Sequence, residues 1–498
     1  MIDSALERSI CVASSSSYGS EIHVVSFGLI GDWNPEPGHV TTWKPTVESI
    51  AQVRSAPAHP IPASHIQEEY LKSAYRNRDS GFRFSRLCLV TFDIFEPLDA
   101  DAMTRAINAF VKRHDTFSSW FSTDDNGVVR HVTDPAAIEL VPTDHGRFED
   151  RELLREHVQD TTPGPTSWDC FSFGVVDRGD AFTVYAAVDH LDTDGISQAL
   201  TVFELRQLYL EAVKGPLEIG PCLGSYLEYC AREREASATL TLESPEVRQW
   251  IDLVRSNGGD LPHFALPLGA DTQKYTRSQV LMLPLFDADL ALQFDAACER
   301  AGAKFTGGIF AAAAIAEYEL VGKESYLGVT PKSTRSTPGE FGAIGWFSSL
   351  VPVHFNVGGA QSFSHLVGSS QRAFETGKTL ADVSYHRVLE LITPDSGIDT
   401  EPGWSAPMIS YVDVRKLPGA DVVSSINGGL FGNQGSSDEV YMWINRFEDQ
   451  TGITFMYPGT DIARESIDRY YEKISEVFLS VARTGDYSFA ESISGKIA

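Results

Sequence analysis

The stretch AFTVYAAV (residues 181–188) runs through DHLDTDG (189–195) into ISQALTVFELRQLYLEAV (196–213). The first segment is typical of a buried strand, and the last repeats apolar residues at helical spacing, so the sequence predicts a strand, a turn and a helix. In the turn, His190 can project into a cleft, with Asp194 and Gly195 shaping the start of the helix. The alternative is an ordinary loop histidine beside a helix-capping aspartate, and the rest of the sequence has to distinguish the two.

Length and composition bound the architecture. The chain has 498 residues, of which 42% are hydrophobic and 11% aromatic. It is too long for one ordinary core, since a domain averages about 150 residues, and its composition suits full-sized cores rather than disorder. Strand-like and helix-like segments are mixed in both halves, which predicts an α/β sandwich in each half.

Segment composition suggests where the lobes begin and end. We expect a disordered extension at 1–22, an N-terminal lobe at 23–235, a linker or crossing segment at 236–270, and a C-terminal lobe at 271–498. Phe286-Asp287-Ala288-Asp289 opens a predicted helix much as Leu98-Asp99-Ala100-Asp101 does. This similarity is compatible with an internal repeat and also with the acidic helix start that many unrelated helices share.

Charge and cysteine content narrow the classes of partner. The chain carries 40 Lys and Arg against 68 Asp and Glu, a net charge of -28, which repels nucleic acids and argues against them as partners. A local basic patch for an anionic ligand such as coenzyme A remains compatible with this balance. The six cysteines include no C-x-x-C pair, so neither a zinc knuckle nor a redox motif is predicted.

Targeting and cofactor signals are absent from the sequence. Residues 1–20 lack the features of a signal peptide, and no run of about 18 apolar residues occurs. We therefore expect a cytoplasmic protein without a membrane span, with peripheral association at the inner face of the membrane left open. No glycine-rich phosphate loop, H-E-x-x-H or carboxylate–histidine cluster is present, so we expect neither a metal nor a cofactor.

The turn at 189–195 resembles the H-H-x-x-x-D-G signature of the condensation-domain and chloramphenicol-acetyltransferase-like superfamily, with Asp189 at the first position. Further matches occur in the family's order over roughly residues 60 to 415, most of the chain: Gln67, Arg113-His114-Asp115, Arg335, Ile344-Gly345-Trp346-Phe347 and Tyr385-His386-Arg387-Val388-Leu389-Glu390. The resemblance implies two α/β sandwich lobes in a V-shaped pseudodimer, with His190 on a channel between them.

Three tracts resemble one branch of this superfamily, the mycobacterial polyketide-associated acyltransferases that act on trehalose and sulfated trehalose. They are DWNPEPGHVTTWKPT (32–46), WDCFSFGV (168–175) and FALPLG (264–269). The resemblance implies O-acylation of trehalose or a trehalose derivative by a fatty acyl-CoA or an acyl chain on a polyketide-synthase carrier domain. Ser118 replaces the family's second arginine and no D-F-G-W-G motif is present, which puts transfer between peptidyl carrier proteins in doubt.

Acyl transfer from a thioester to an alcohol needs a base, donors for the oxyanion and a site shielded from water. His190 suits the base, because imidazole with an unperturbed pKa of about 6.5 is largely neutral at physiological pH. In the family the attack is direct, without an acyl-enzyme, and the motif aspartate pairs with an arginine. For Asp194 that partner is Arg335 or Arg113. Gly195 permits a conformation or close approach that a β-carbon would block, and a backbone N–H at the helix start can stabilise the oxyanion.

Several residues keep two interpretations. Asp189 fixes the turn or binds a sugar hydroxyl, or it is a strand-end residue that points into a lobe. Arg335 is expected in a structural salt bridge, GWFSSL (345–350) in a buried strand with one edge on the channel, and His114 at a helix end. Rival functions are nonribosomal-peptide-type condensation, although two lobes leave no room for a carrier domain, and a catalytically silent acyl-binding or scaffold protein, which Asp189 and the missing motif favour.

Overall fold

The structure is a computed structural model that describes residues 26–78, 84–125, 127–217, 224–270, 276–398, 404–417 and 420–489; the predicted disordered extension at 1–22 lies outside them. The strands are β1 Ser26–Leu29, β2 Gly38–Pro45, β3 Leu87–Ile94, β4 Ser119–Asp124, β5 Gly127–Val132, β6 Leu140–Phe148, β7 Phe171–Asp177, β8 Phe182–Asp189, β9 Ser278–Asp287, β10 Ser325–Ser333, β11 Ser348–Asn356, β12 Met408–Asp413, β13 Gly429–Gly432, β14 Tyr441–Arg446 and β15 Gln450–Pro458. The helices are α1 Val47–Arg54, α2 His65–Arg76, α3 Ala100–Arg113, α4 Arg151–Asp160, α5 Gly195–Lys214, α6 Tyr226–Ala238, α7 Pro245–Ser256, α8 Ala288–Arg300, α9 Phe305–Val321, α10 Phe363–Lys378, α11 Tyr385–Leu391, α12 Ala420–Ser425 and α13 Asp461–Thr484.

The first lobe is built on a seven-stranded sheet in the order β1-β13-β3-β8-β7-β2-β6. All eight residues of β8 are buried, as expected of a central strand covered on both faces. Helices α3 and α5 pack against each other and contribute to the same core as β3, β7 and β8. Helix α3 begins where the Asp99 side chain accepts a hydrogen bond from the N–H of Ala102, and its acidic first turn and basic last turn complement the helix dipole.

The second lobe is built on a six-stranded sheet in the order β11-β10-β12-β14-β15-β9. Helices α8, α9, α10 and α13 supply the other side of its core. Helix α9 is rich in glycine and alanine, which allows close approach: a β-carbon at Gly308 would lie 2.5 Å from Sγ of Cys298. An α/β sandwich therefore forms in each half, as the mixture of strands and helices predicts.

The two lobes repeat one order of elements. In the first, β3 and α3 precede the β7–β8 hairpin and α5; in the second, β9 and α8 precede the β14–β15 hairpin and α13. The antiparallel pairing of β3 with β8 corresponds to that of β9 with β15. The packing of α3 on α5 corresponds to that of α8 on α13. Asp99 and Asp287 cap the equivalent helices α3 and α8, so the short sequence similarity belongs to a repeat of topology.

One segment crosses from the second half into the first lobe. Strand β13 pairs in parallel with β1 and antiparallel with β3, and α12 contacts α5. The side chains of Val423 and Ile426 lie in the core of the first lobe. The predicted continuous C-terminal lobe at 271–498 is therefore wrong for this segment, because pairing with a distant strand leaves no periodic signal in the local sequence.

Two other segments show detail that their predictions lacked. The segment 236–270, predicted as a linker or crossing segment, contains α7, whose Trp250 packs in a core cluster with Leu327 of the second half. In the predicted strand at 345–350, β11 begins only at Ser348. Gly345 and Phe347 do not extend this strand, because their N–H groups donate to side chains of α5 and its cap rather than to a neighbouring strand.

Candidate active site

The strand β8 and the helix α5 are joined by a short 3-10 turn, His190–Asp192. The N–H of His190 donates to the carbonyl of Arg86 over 2.8 Å. The Asp189 carboxylate accepts from the N–H of Leu191 over 3.0 Å, and the amide of Gln67 donates to the carbonyl of Leu191 over 2.8 Å. The backbone of the turn is thus fixed on both sides of His190.

The His190 ring lies half-buried where the two halves of the chain meet. Its centroid is 4.2 Å from that of Trp346, which belongs to the second half. Nδ1 is enclosed and makes no hydrogen bond of good geometry among the described residues, and the backbone of His190 and Thr193 lies close enough to raise the pKa of the ring. The sequence motif located this histidine, but Trp346 was noted only as part of a family match.

Burial lowers the pKa of His190 to about 4, and the nearby charge of Arg86 acts in the same direction. Asp194 and the backbone of His190 and Thr193 raise this pKa and so oppose the shift. The imidazole is therefore neutral at physiological pH, which is the form that accepts a proton.

Asp194 caps α5 and pairs with Arg335. One carboxylate oxygen accepts from the N–H of Ser197 over 2.7 Å, and the other lies 2.7 Å from Nη1 of Arg335. The Arg335 side chain is 0% exposed and that of Asp194 6%, so this ion pair is closed off from solvent. Of the two arginines that the sequence offered, Arg335 is the partner, and Arg113 instead pairs with Glu204 at 3.2 Å. The alternative partner, Arg113, does not apply, because this residue lies at the end of α3 and pairs with a residue of α5.

The same arginine ties the second half of the chain to α5. Nη2 of Arg335 donates to Oγ of Ser197 over 2.7 Å, and that hydroxyl donates to the carbonyl of Gly345 over 2.8 Å. The N–H of Phe347 donates to Asp194 over 3.0 Å, and the guanidinium lies 4.3 Å from the centre of the Phe347 ring. We call these five residues, Asp194, Ser197, Arg335, Gly345 and Phe347, the inter-lobe latch. Removing one partner of a buried ion pair of this kind costs about 3–5 kcal/mol.

Asp189 is fully buried at the end of β8. Its oxygens accept from Oη of Tyr70 at 3.2 Å, Oγ of Ser85 at 2.9 Å, and the N–H groups of Arg86 at 3.2 Å and Leu191 at 3.0 Å. Burial raises its pKa to about 6, and these hydrogen bonds oppose the shift. The carboxylate fixes the turn from inside the lobe, so the interpretation as a ligand for a sugar hydroxyl does not fit.

Gly195 is exposed at the first position of α5. A β-carbon added here would meet no atom within 4 Å, and Gly195 does not have a positive φ. Neither the backbone conformation nor packing within the protein therefore requires glycine, contrary to part of the sequence-based expectation. The other part of that expectation is that the missing side chain leaves room for a substrate to approach His190.

Asp192 is a buried carboxylate that sequence reasoning missed. It accepts from Oγ1 of Thr116 over 2.7 Å and from the thiol of Cys170 over 3.3 Å. Burial raises its pKa to about 7. Its position within the variable part of the motif gave no signal. His114, by contrast, has the helix-end role that was expected, with Nε2 3.0 Å from the Glu204 carboxylate.

No group of three or more His, Cys, Asp or Glu side chains in the described ranges is arranged to hold a metal ion. No helix within those same ranges is both long enough and apolar enough to cross a membrane.

A family model, the condensation domain, matches residues 59–401. The chain belongs to the condensation-domain family. This confirms the resemblance inferred from the ordered motifs, and the family's members of known structure share the two-lobed pseudodimer.

Relatives extend the similarity over nearly the whole chain. PapA1 of Mycobacterium tuberculosis (strain CDC 1551 / Oshkosh), a 2'-acyl-2-O-sulfo-trehalose (hydroxy)phthioceranyltransferase, is 37% identical over 480 residues, covering 95% of this chain and 91% of the relative. The trehalose-2-sulfate acyltransferase PapA2 of Mycobacterium bovis (strain BCG / Pasteur 1173P2) is 37% identical over 470 residues, covering 93% and 98%.

Solved structures give the same result for the fold. The structure of PapA2 acyl transferase superimposes with a TM-score of 0.85 at 36% identity, covering 92% of this chain and 100% of that one. The first condensation domain of the calcium-dependent antibiotic synthetase superimposes with a TM-score of 0.64 at 17% identity, covering 88% and 99%. The predicted fold class, two α/β sandwich lobes in a pseudodimer, is therefore confirmed.

Proposed function

We propose that this protein is an O-acyltransferase that moves a fatty or polyketide acyl group from a thioester to a hydroxyl of trehalose or a trehalose derivative. The observation that carries the proposal is a neutral, half-buried His190, with Nδ1 enclosed, at the junction of the lobes. It is supported by two relatives, each 37% identical to this condensation-family chain, whose names describe acyl transfer to sulfated trehalose.

His190 acts as the general base in the proposed reaction. Nε2 takes the proton of the acceptor hydroxyl while the hydroxyl oxygen attacks the thioester carbonyl. The tetrahedral intermediate then collapses, the carbon–sulfur bond breaks, and the proton passes from imidazolium to the departing thiolate. An imidazolium with a pKa of about 4 is a strong acid, which favours the second transfer. No metal or redox group takes part in this sequence.

The N-terminus of α5 is the proposed source of oxyanion stabilisation. The Asp194 side chain already accepts from the N–H of Ser197, whereas Gly195 lies at the exposed start of the helix. Helix N-termini present N–H donors and a positive dipole end to an anion. We assign the N–H of Gly195 to the oxyanion and Asp194 to the positioning of that helix start.

Acyl-CoA and an acyl chain on a polyketide-synthase carrier domain are both donors that the proposal allows, and peripheral association with the inner face of the membrane would suit a lipid product. A silent scaffold is less well supported, because Asp189, which stands in place of the first motif histidine, serves the turn and leaves His190 accessible.

The test is product formation by the purified protein. Acyl-CoA donors of several chain lengths are incubated with trehalose, trehalose-2-sulfate, glycerol and a long-chain diol, and the products are identified by mass spectrometry. We expect a mono-acylated sugar. Acylation of the diol and of neither sugar would overturn the assignment of the acceptor, and no product from any pair would favour the scaffold.

A further inference from the structure

Arg86 immediately precedes β3, next to His190. Its carbonyl accepts the N–H of His190 over 2.8 Å, and its charge lowers the pKa of that histidine. Its side chain is exposed, although Leu87 and Ser85 on either side are buried. A cation is thus placed in accessible space beside the proposed base.

Aromatic and acidic groups from both halves of the chain lie near Arg86. Desolvation by neighbouring atoms is the largest influence on its pKa and lowers it, but Tyr441, Tyr70 and Asp189 raise the pKa of Arg86 above its usual value. Tyr441 belongs to the second half of the chain and Tyr70 to the first. Arg86 is therefore an exposed residue with side chains of both halves of the chain close to it.

Among the described residues, the Arg86 guanidinium has neither an ion pair nor a side-chain hydrogen bond. Two buried arginines near the site differ in this respect: Arg335 pairs with Asp194, and Arg130 donates to Gln67 and to the carbonyl of Pro62. In a chain with a net charge of -28, an arginine without a carboxylate partner beside the proposed base is conspicuous.

Arg86 is also held in a defined position. Its guanidinium carbon lies 5.1 Å from the centre of the Tyr70 ring, and its N–H donates to Oη of Tyr70 over 2.9 Å. Tyr70 is buried, donates in turn to Asp189 and packs edge-on against Trp346 with ring centres 5.7 Å apart. An arginine stacked on a fixed aromatic ring loses little entropy when it binds a planar pair of oxygens.

We infer that Arg86 binds an anionic ester group of the acceptor, a sulfate or a phosphate, beside His190. Guanidinium donors match the oxygens of such groups, and charge-assisted hydrogen bonds of this kind are about twice as strong as neutral ones. The inference rests on the proposed function and adds the residue that would select an anionic sugar over a neutral one.

The position of Arg86 distinguishes the acceptor from the donor as the source of the anion. A full pantetheine arm separates the phosphates of coenzyme A from its thioester, and the thioester must lie at His190 for the reaction. An anion bound by a residue whose carbonyl contacts the His190 N–H is therefore on the acceptor. A bound anion would also offset the positive charge of Arg86, which lowers the pKa of His190, so an anionic acceptor would make His190 a stronger base.

The first experiment measures binding by calorimetry, with trehalose-2-sulfate and trehalose as the probes, for the wild type, Arg86→Gln and Arg86→Lys. Arg372→Gln, at an exposed position on α10, is the matched control. We expect the preference of the wild type for trehalose-2-sulfate to fall about tenfold or more in Arg86→Gln, less in Arg86→Lys and not in Arg372→Gln. Circular dichroism verifies that each variant is folded. Equal binding of the two sugars by the wild type would overturn the inference.

The second experiment measures kcat/KM for both sugars and for acyl-CoA and acyl-pantetheine donors. We expect Arg86→Gln to reduce the ratio of kcat/KM for trehalose-2-sulfate to kcat/KM for trehalose, and the acid limb of the pH profile to move to higher pH, because the charge that lowers the pKa of His190 is gone. A selective rise in KM for acyl-CoA would overturn the inference, because it would place the anion on the donor. Binding that depends on the sulfate, without any acyl transfer, would support the anion site and refute the proposed function. Acyl transfer with no preference for the sulfated sugar would support the proposed function and refute the anion site.

Discussion

The two lobes have the same junction between a hairpin and a helix, but only one carries the proposed chemistry. In the first lobe β8 ends at Asp189, a 3-10 turn presents His190, and Asp194 caps α5. In the second, β15 ends at Pro458 and Thr460 caps α13 by accepting from the N–H of Ala463 over 2.9 Å. Both junctions therefore have a helix cap. Only the junction in the first lobe has a longer turn with a histidine, and the inter-lobe latch from the second half of the chain holds the helix that follows this turn.

The largest contrast is expected in activity when His190→Ala is compared with His365→Ala. His190 is the proposed base, whereas His365 is exposed on α10. Loss of a general base costs about 10²- to 10⁴-fold in kcat. We expect this loss for His190→Ala, measured with an acyl-CoA donor and trehalose or its 2-sulfate, and none for His365→Ala. Full activity of His190→Ala would refute the assignment of the base.

The two junctions should also differ in stability. Arg335→Leu leaves the Asp194 carboxylate buried without its cation and should lower the free energy of unfolding by about 3–5 kcal/mol, measured in urea. Thr460→Ala removes the cap at the equivalent junction and a hydrogen bond to the carbonyl of Leu268, and should cost about 1–2 kcal/mol, with activity retained. Similar losses in the two variants would mean that the inter-lobe latch contributes no more than an ordinary cap.

Asp192→Asn tests the cost of burying charge in the first junction. In the folded wild type the pKa of Asp192 is raised to about 7, so the protonated carboxyl stabilises the fold at low pH and this contribution is lost as the pH rises through 7. Asparagine does not titrate. From pH 4 to pH 8 we expect the free energy of unfolding of Asp192→Asn to improve relative to the wild type by about 2–4 kcal/mol. A constant difference across this range would show that Asp192 is ionised without penalty.

The smallest of these effects is expected at Gly195. The exposed position has room for a methyl group and an ordinary backbone conformation, so Gly195→Ala should change the free energy of unfolding by less than about 1 kcal/mol. KM for the acceptor should rise, because the methyl group narrows the approach to His190. Denaturant unfolding and steady-state kinetics measure the two quantities, and a large loss of stability with KM unchanged would show that the glycine has a structural role.

Local pattern predicted a large part of this molecule. The strand before His190, the helix after it and the acidic cap of α3 follow from periodicity and capping residues, and ordered motifs identified the family. The ion pair of Asp194 with Arg335 was one of two options, since the sequence alone does not place either arginine in space.

What sequence reasoning missed depends on contacts between distant segments. β13 joins the first sheet through pairing with β1 and β3. Gly345 and Phe347 bond to α5 and its cap instead of extending β11. Arg86 became visible as a candidate only once the fold placed its side chain in accessible space beside His190. In each case the partner lies far away in the chain, where periodicity carries no information.

The central claim, that His190 is a neutral general base with a depressed pKa, is tested most directly by the pH dependence of kcat/KM with trehalose as the acceptor. Such profiles report the pKa of the essential base in the free enzyme. We expect a plateau through neutral pH and a one-proton decline centred near pH 4, because protonation of His190 abolishes the base. A decline centred near pH 6.5, or rates that do not depend on pH down to pH 3.5 in protein shown to remain folded, would contradict the account.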